Sequence, residues 1–342
     1  IVIGIIAMLF FIQQFGTKSI GQFFGPVMLT WFIFLAVMGS MSIANNVEVL
    51  KALNPYYGIK LLTTHPGGFW ILGAVFLCTT GAEALYSDLG HCGRENIRVS
   101  WVFVKIALML NYMGQASFLL NLDGQKLGDI SPFYAIIPKQ ILPIGIVVAT
   151  VATVVASQAL ISGSFTLINE AIRLNLWPKV KINYPSNMKG QLYIPSINWL
   201  LMFGCIGIVL FFKESKNMEA AYGLTIIIGM LMSSILLVYY MRLKRYRMFY
   251  IIGFMITYAI IEVSFLIANL DKLPHGGWVT MLIATLLVII MWIWYDARKI
   301  RNSYVEFTKL DDYLGLMYDL SKDLSIPKYA THLVYLTSAG RK

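Results

Sequence analysis

The hydrophobic positions of this chain gather into long runs, separated by short connections that carry the basic residues. About 20 mostly apolar residues make a helix long enough to cross a bilayer. Runs of that kind predict nine membrane-crossing helices, at 1–12, 24–43, 68–88, 97–120, 141–171, 192–212, 219–241, 248–269 and 276–297. The first is cut short at Ile1. The run at 141–171 exceeds one crossing, which a tilt or an extension beyond the bilayer would accommodate. The pattern changes after Ala297. Residues 298–342 place Asp311, Asp312, Asp319 and Asp323 among Leu and Tyr at helical spacing, followed by a short β-like run, His332–Thr337. Two units are therefore expected: a membrane domain over 1–297 and the start of a second, cytoplasmic domain over 298–342. With no Met at its start and an apolar run already under way, the chain is read as a piece of a longer protein.

Charge in the connections predicts orientation. One alternating set holds Lys18; Arg94 and Arg98; Arg173, Lys179, Lys181 and Lys189; Arg242, Lys244, Arg245 and Arg247; then Arg298, Lys299 and Arg301. The other holds Lys51 and Lys60; Lys126 and Lys139; Lys213 and Lys216; then Lys272. Fourteen basic residues stand against seven, and cytoplasmic loops carry the excess. The richer set is predicted to be cytoplasmic, and the tail with it. Trp278, Trp292 and Trp294 flank the last run as interfacial anchors would.

Composition agrees. Hydrophobic residues make up 58% of the chain and charged residues 13%, against roughly 25% charged in a soluble domain. The net charge of +10 belongs to the loop clusters, so it speaks for topology and not for nucleic acid. Cys78, Cys92 and Cys205 have neither metal-ligand spacing nor an even count, so no disulfide framework and no resident metal is expected. His65, His91, His275 and His332 form no HExxH or triad-like group, and P-loop and G-x-S-x-G motifs are missing. No catalytic residue and no cofactor is assigned, and the chain is not expected to be an enzyme.

The chemistry-bearing stretch is Thr79-Thr80-Gly81-Ala82-Glu83-Ala84-Leu85-Tyr86-Ser87-Asp88. A carboxylate in a membrane span is costly unless paired or solvated, and is functional by default. Gly81 offers a point where the helix can unwind. Unwound backbone at membrane depth exposes carbonyl oxygens that line ion sites, and the hydroxyls of Thr79 and Thr80 add neutral oxygens. Oxygen ligands, low charge density and no His or Cys suit a weakly hydrated monovalent cation. The competing reading of Glu83 is a helix-end carboxylate paired with a nearby Arg. Asp88 lies nearer the loop, where pairing with Arg94 or Arg98 competes with an ion role. Lys105 can snorkel to the interface. Asn111, Tyr112 and Gln115 read as interhelical hydrogen-bonding groups. The small and polar stretch 157–164 fits close helix packing or a pathway wall equally well, and Glu170 reads as an interfacial partner of Arg173. Glu262 lies mid-span as either a second functional carboxylate or an interface pair.

Several stretches resemble one family: Phe24-Gly25-Pro26-Val27-Met28, Leu53-Asn54-Pro55-Tyr56-Tyr57, the block from Thr80 through His91, and Asn111-Tyr112-Met113-Gly114-Gln115. The order continues with Ala156 through Gly163, Gly190 through Pro195, Ala221-Tyr222-Gly223 and His275-Gly276-Gly277-Trp278. On these the sequence is similar to the KUP/HAK/KT potassium uptake transporters. The resemblance implies an all-α polytopic protein on the inverted-repeat, amino-acid-permease-like scaffold of twelve spans, of which the nine runs would be the fourth to the twelfth. Glu83 would sit in a broken sixth span. The same resemblance implies a potassium site using Thr80, Glu83 and Thr79, completed by groups on spans one and three that this sequence does not contain; Asp88, Tyr86 and Glu262 stand beside it as secondary candidates. It further implies proton–potassium symport at the plasma membrane, homodimers in membrane lipid, a large cytoplasmic domain and a cyclic dinucleotide as regulator. Two other readings remain: a permease for amino acids or other solutes on the same scaffold, and a cation channel.

Overall fold

The computed structural model describes residues 1–15, 18–78, 80–81, 94–122, 127–128, 130–184, 192–304, 310–323 and 325. Every named element in this part of the chain is helical. Short pieces aside, in chain order the helices are α1 (Val2–Ile12), α2 (Lys18–Asn45), α3 (Pro55–Thr64), α4 (Gly68–Cys78), α5 (Arg94–Leu120), α6 (Leu142–Arg173), α7 (Pro195–Phe212), α8 (Ser215–Leu243), α9 (Met248–Leu270), α10 (Trp278–Ser303) and α11 (Leu314–Lys322). Among the described residues seven helices are long and apolar enough to cross a membrane: α2 and α5 through α10. The two remaining apolar runs form the shorter helices α1 and α4. Each of the nine predicted runs overlaps one of these helices, although residues 80, 81 and 192–194 within those runs are not helical, and α10 continues past Ala297 to Ser303.

Local chemistry explains the boundaries. Asn54 accepts the Tyr56 amide on its side chain at 3.0 Å, and Pro55 opens α3 at a position where its missing N–H costs nothing. This is the structural content of the Leu-Asn-Pro-Tyr-Tyr stretch. The long helices α6 and α8 end in left-handed residues, Asn175 (φ 58°) and Arg245 (φ 57°). The next amides reach back to Ala171 at 2.8 Å and Met241 at 3.1 Å, which satisfies carbonyls that a helix end leaves open. Residues 192–194 precede α7 rather than joining it. Asn183 and Tyr193 there form an antiparallel bridge at 2.8 and 2.9 Å, and Tyr193 and Ile194 are buried with Phe10, Ile161, Phe165, Ile197 and Met202.

Helices α2 and α5 meet backbone to backbone. A Cβ on Gly114 would lie 2.6 Å from the Gly39 Cα, and one on Gly39 would strike the Leu110 carbonyl. Backbones this close bring polar groups within reach across the seam. Ser42 donates to the Gly114 carbonyl at 2.7 Å, Ser117 to the Ser42 carbonyl at 2.8 Å, and the Asn46 amide to Asn121 at 3.0 Å. Small residues with hydrogen-bonding partners are the means by which helices associate where lipid removes the hydrophobic drive. A second group joins α4, α8 and α9 through Phe76, Leu224 and Ile227, with Phe265 and Leu266 against them. By contrast α10 buries none of its residues. Val288, Trp292 and Ile293 are each more than 60% exposed, an apolar surface suited to hydrocarbon and not to water.

Candidate functional site

The candidate site forms where α4 stops. Eleven residues give α4 a length of about 16 Å, half the roughly 30 Å of a bilayer core. Beyond Cys78, Thr80 and Gly81 are not helical, and Gly81 sits at φ +105°. A glycine is needed there, because a Cβ strains that backbone. Among the described residues the helix thus stops short of Gly81, three residues earlier.

The helix end is held by hydroxyls. Thr80 Oγ1 donates to the Leu77 carbonyl at 2.8 Å, and the Tyr112 hydroxyl of α5 donates to the Cys78 carbonyl at 3.2 Å. The α2–α5 seam presents Tyr112 for this bond. One residue earlier on α5, Asn111 turns to α2 and reaches the Leu35 carbonyl at 3.5 Å, while Gln115 donates to Asn111 at 2.6 Å. The polar stripe is thus interhelical at Asn111 and Tyr112 and intrahelical at Gln115. A helix C-terminus carries about half a negative charge, so the C-terminal end of α4 favours a cation.

Of the residues singled out from the sequence, Thr80 is half-buried at the break. Thr79, Glu83, Tyr86 and Asp88 lie outside the described residues, as do Cys92, His91 and the run His332–Thr337. Glu262 on α9 is 3% exposed and accepts the Ser234 hydroxyl of α8 at 2.6 Å. It is thus an interhelical pair, the partner being a hydroxyl. Depth is set by register. Gly73 packs on Ala268, and Phe76 meets Phe265 with ring centroids 5.2 Å apart. These antiparallel pairs advance three residues each way, and Glu262 lies one step further along α9. Glu170 pairs with Arg173 at 3.2 Å, as expected, and Lys105 stands over the Trp101 ring at 5.3 Å.

Sequence reasoning missed two things. Ser234 gave no signal as the partner of Glu262, being one of many small residues in its run. Lys272, counted only as a loop charge, donates to the Gly73 carbonyl at 2.6 Å.

Residues 1–299 match the K+ potassium transporter integral membrane domain. The chain belongs to this transporter family. It is accordingly a multi-pass membrane protein of a transport family and not an enzyme. It is 61% identical to the "Probable potassium transport system protein Kup" of Flavobacterium psychrophilum, over 100% of this chain and 53% of that relative. The protein of the same name in Flavobacterium johnsoniae is 60% identical over 99% of this chain and 52% of its own length. The one in Clostridium perfringens is 48% identical over 100% and 53%. The chain therefore spans about half the length of the curated relatives it matches. No solved structure matches it.

Proposed function

We propose that this protein takes up potassium across the plasma membrane, by alternating access and in symport with a proton. The observation that carries the reading is the helix that ends at Cys78 inside an apolar segment, with Thr80 and the left-handed Gly81 following it. Potassium would be held by oxygens of this broken segment: Thr80, Glu83 and Thr79, completed by groups on spans one and three of the inverted-repeat scaffold. Its weak hydration lets neutral hydroxyl and carbonyl oxygens replace water, and Glu83 supplies the charge. Glu83 is then a group whose protonation and ion occupancy are linked, and Glu262, buried between α9 and α8, is the second carboxyl that can carry the proton.

The energetics favour coupling. One charge moving through 100 mV gains about 2.3 kcal/mol, which concentrates potassium roughly 50-fold. A proton carried along doubles the gain to about 4.6 kcal/mol, roughly 2,000-fold.

The reading is tested by rubidium uptake into proteoliposomes. Glu83→Gln is expected to abolish or uncouple uptake, and wild-type uptake by that variant would defeat the assignment. A coupled carrier acidifies the lumen as potassium enters, whereas a channel conducts without saturation. An amino-acid permease would need positive helix N-termini for the substrate carboxylate. The end of α4 is of the opposite sign, so competition by amino acids for rubidium uptake is not expected.

A further inference from the structure

The turn between α9 and α10 is built to be rigid. Lys272 donates its amide to the Asn269 carbonyl at 3.0 Å, and its own carbonyl receives the Gly277 amide at 3.4 Å. Leu273–Gly277 then forms a single π-type turn, with Gly276 at φ +138°. That turn lies directly on α8. A Cβ on Gly276 would meet the Asn217 carbonyl at 2.7 Å, and one on Gly277 would meet Leu224 Cδ2 at 3.0 Å. Thr280 adds a hydrogen bond to the Ala221 carbonyl at 3.3 Å. The Gly-Gly-Trp stretch is thereby explained as a close backbone contact with α8.

From this fixed base the half-buried Lys272 side chain crosses to α4 and gives its ammonium to the Gly73 carbonyl. Gly73 makes the approach possible. A Cβ there would lie 2.8 Å from the Ala268 carbonyl and 3.4 Å from Lys272 Cε. Burial pushes the ammonium below its usual range, with Glu219 opposing the shift. A helix carbonyl already serves the amide four residues on, so this ammonium is a second donor to it and adds a restraint across elements 199 residues apart.

We propose that Lys272 is a positioning residue for ion binding, pinning the short helix α4, and with it the oxygens of the break, to the rigid α9–α10 turn. This rests on the potassium reading above. Gly73 is five residues from Cys78, where α4 ends, about 7.5 Å along the axis. Freed there, α4 can pivot about the Phe76–Phe265 contact, and a small tilt displaces the oxygens at its end.

The test uses the full-length protein. Lys272→Met keeps the stem and removes the donor; Lys272→Arg keeps a donor. In proteoliposomes Lys272→Met is expected to raise the KM for rubidium roughly ten-fold with kcat little changed, with Lys272→Arg restoring most of it. In detergent, hydrogen exchange at the α4 amides of residues 76–78 is expected to quicken in Lys272→Met at an unchanged melting temperature. A wild-type KM in Lys272→Met, or a lowered melting temperature with uniform loss of transport and no KM change, overturns the proposal. Should the wild-type protein take up no rubidium, the potassium reading fails. Hydrogen exchange then decides alone, and unchanged α4 exchange overturns the pinning.

Discussion

Two residues can be tested in isolation from their surroundings. Among the described residues, no atom lies within 4 Å of a Cβ built on Gly81, so Gly81→Ala is expected to act through backbone strain, about 1–2 kcal/mol. That cost favours continuing the helix over breaking it. Gly81→Ala is expected to lower rubidium uptake, while Gly204→Ala, in α7 with open space around it, leaves uptake unchanged; equal uptake by both would remove the break from the mechanism. Glu262 separates structure from transport differently. Ser234→Ala takes away its hydroxyl partner and is expected to cost about 1–3 kcal/mol, read as a lower melting temperature in detergent. Glu262→Gln keeps the acceptor and the volume, so its melting temperature is expected to match wild type while uptake falls. Uptake at the wild-type level would leave Glu262 a packing residue. The break was legible because Gly and two Thr interrupt an apolar run, and a carboxylate follows. The Ser234–Glu262 and Lys272–Gly73 bonds were not, since nothing in a linear pattern says which turn of one helix faces which turn of another.

Among the elements, α2 and α5 carry the sharpest packing constraint. Gly39 and Gly114 touch backbone to backbone, and the Ser42, Ser117 and Asn46 hydrogen bonds depend on that distance. Gly114→Val forces the helices apart, and overpacking together with the lost polar contacts is expected to cost about 3 kcal/mol or more. Folded yield by size exclusion and the melting temperature check this, and a wild-type melt would show that the seam yields easily. The loss should reach the site as well, because Tyr112 on α5 caps the Cys78 carbonyl. Hydropathy disclosed the long helices because lipid demands apolar residues on most faces. It passed over α3, whose Tyr, Lys and Thr residues mix with Ile and Leu over ten residues. It also placed residues 192–194 in a helix, although Tyr193 bridges to Asn183 and Pro195 begins α7. Both are local chemistry, capping and a paired loop, which hydrophobicity does not register.

For the whole molecule the decisive property is which way it crosses the membrane, and the loop charges predict it. Helix α8 has 29 residues and is about 43 Å long, enough to carry its two ends to opposite faces of a bilayer of about 30 Å. Glu214, before α8, and Tyr246, after it, are both exposed, and they belong to the poorer and the richer basic set. Two more crossings, α9 and α10, separate Tyr246 from α11, so Asp319 should share its side. With Cys78, Cys92 and Cys205 replaced by Ser, single substitutions Glu214→Cys, Tyr246→Cys and Asp319→Cys can be labelled in intact cells with an impermeant maleimide. Glu214→Cys is expected to react at once, and the other two only after permeabilisation. Labelling of Tyr246→Cys and Asp319→Cys from outside, with Glu214→Cys protected, would invert the protein. That inversion would also reverse the face toward which α4 runs, and with it the direction from which potassium reaches the break.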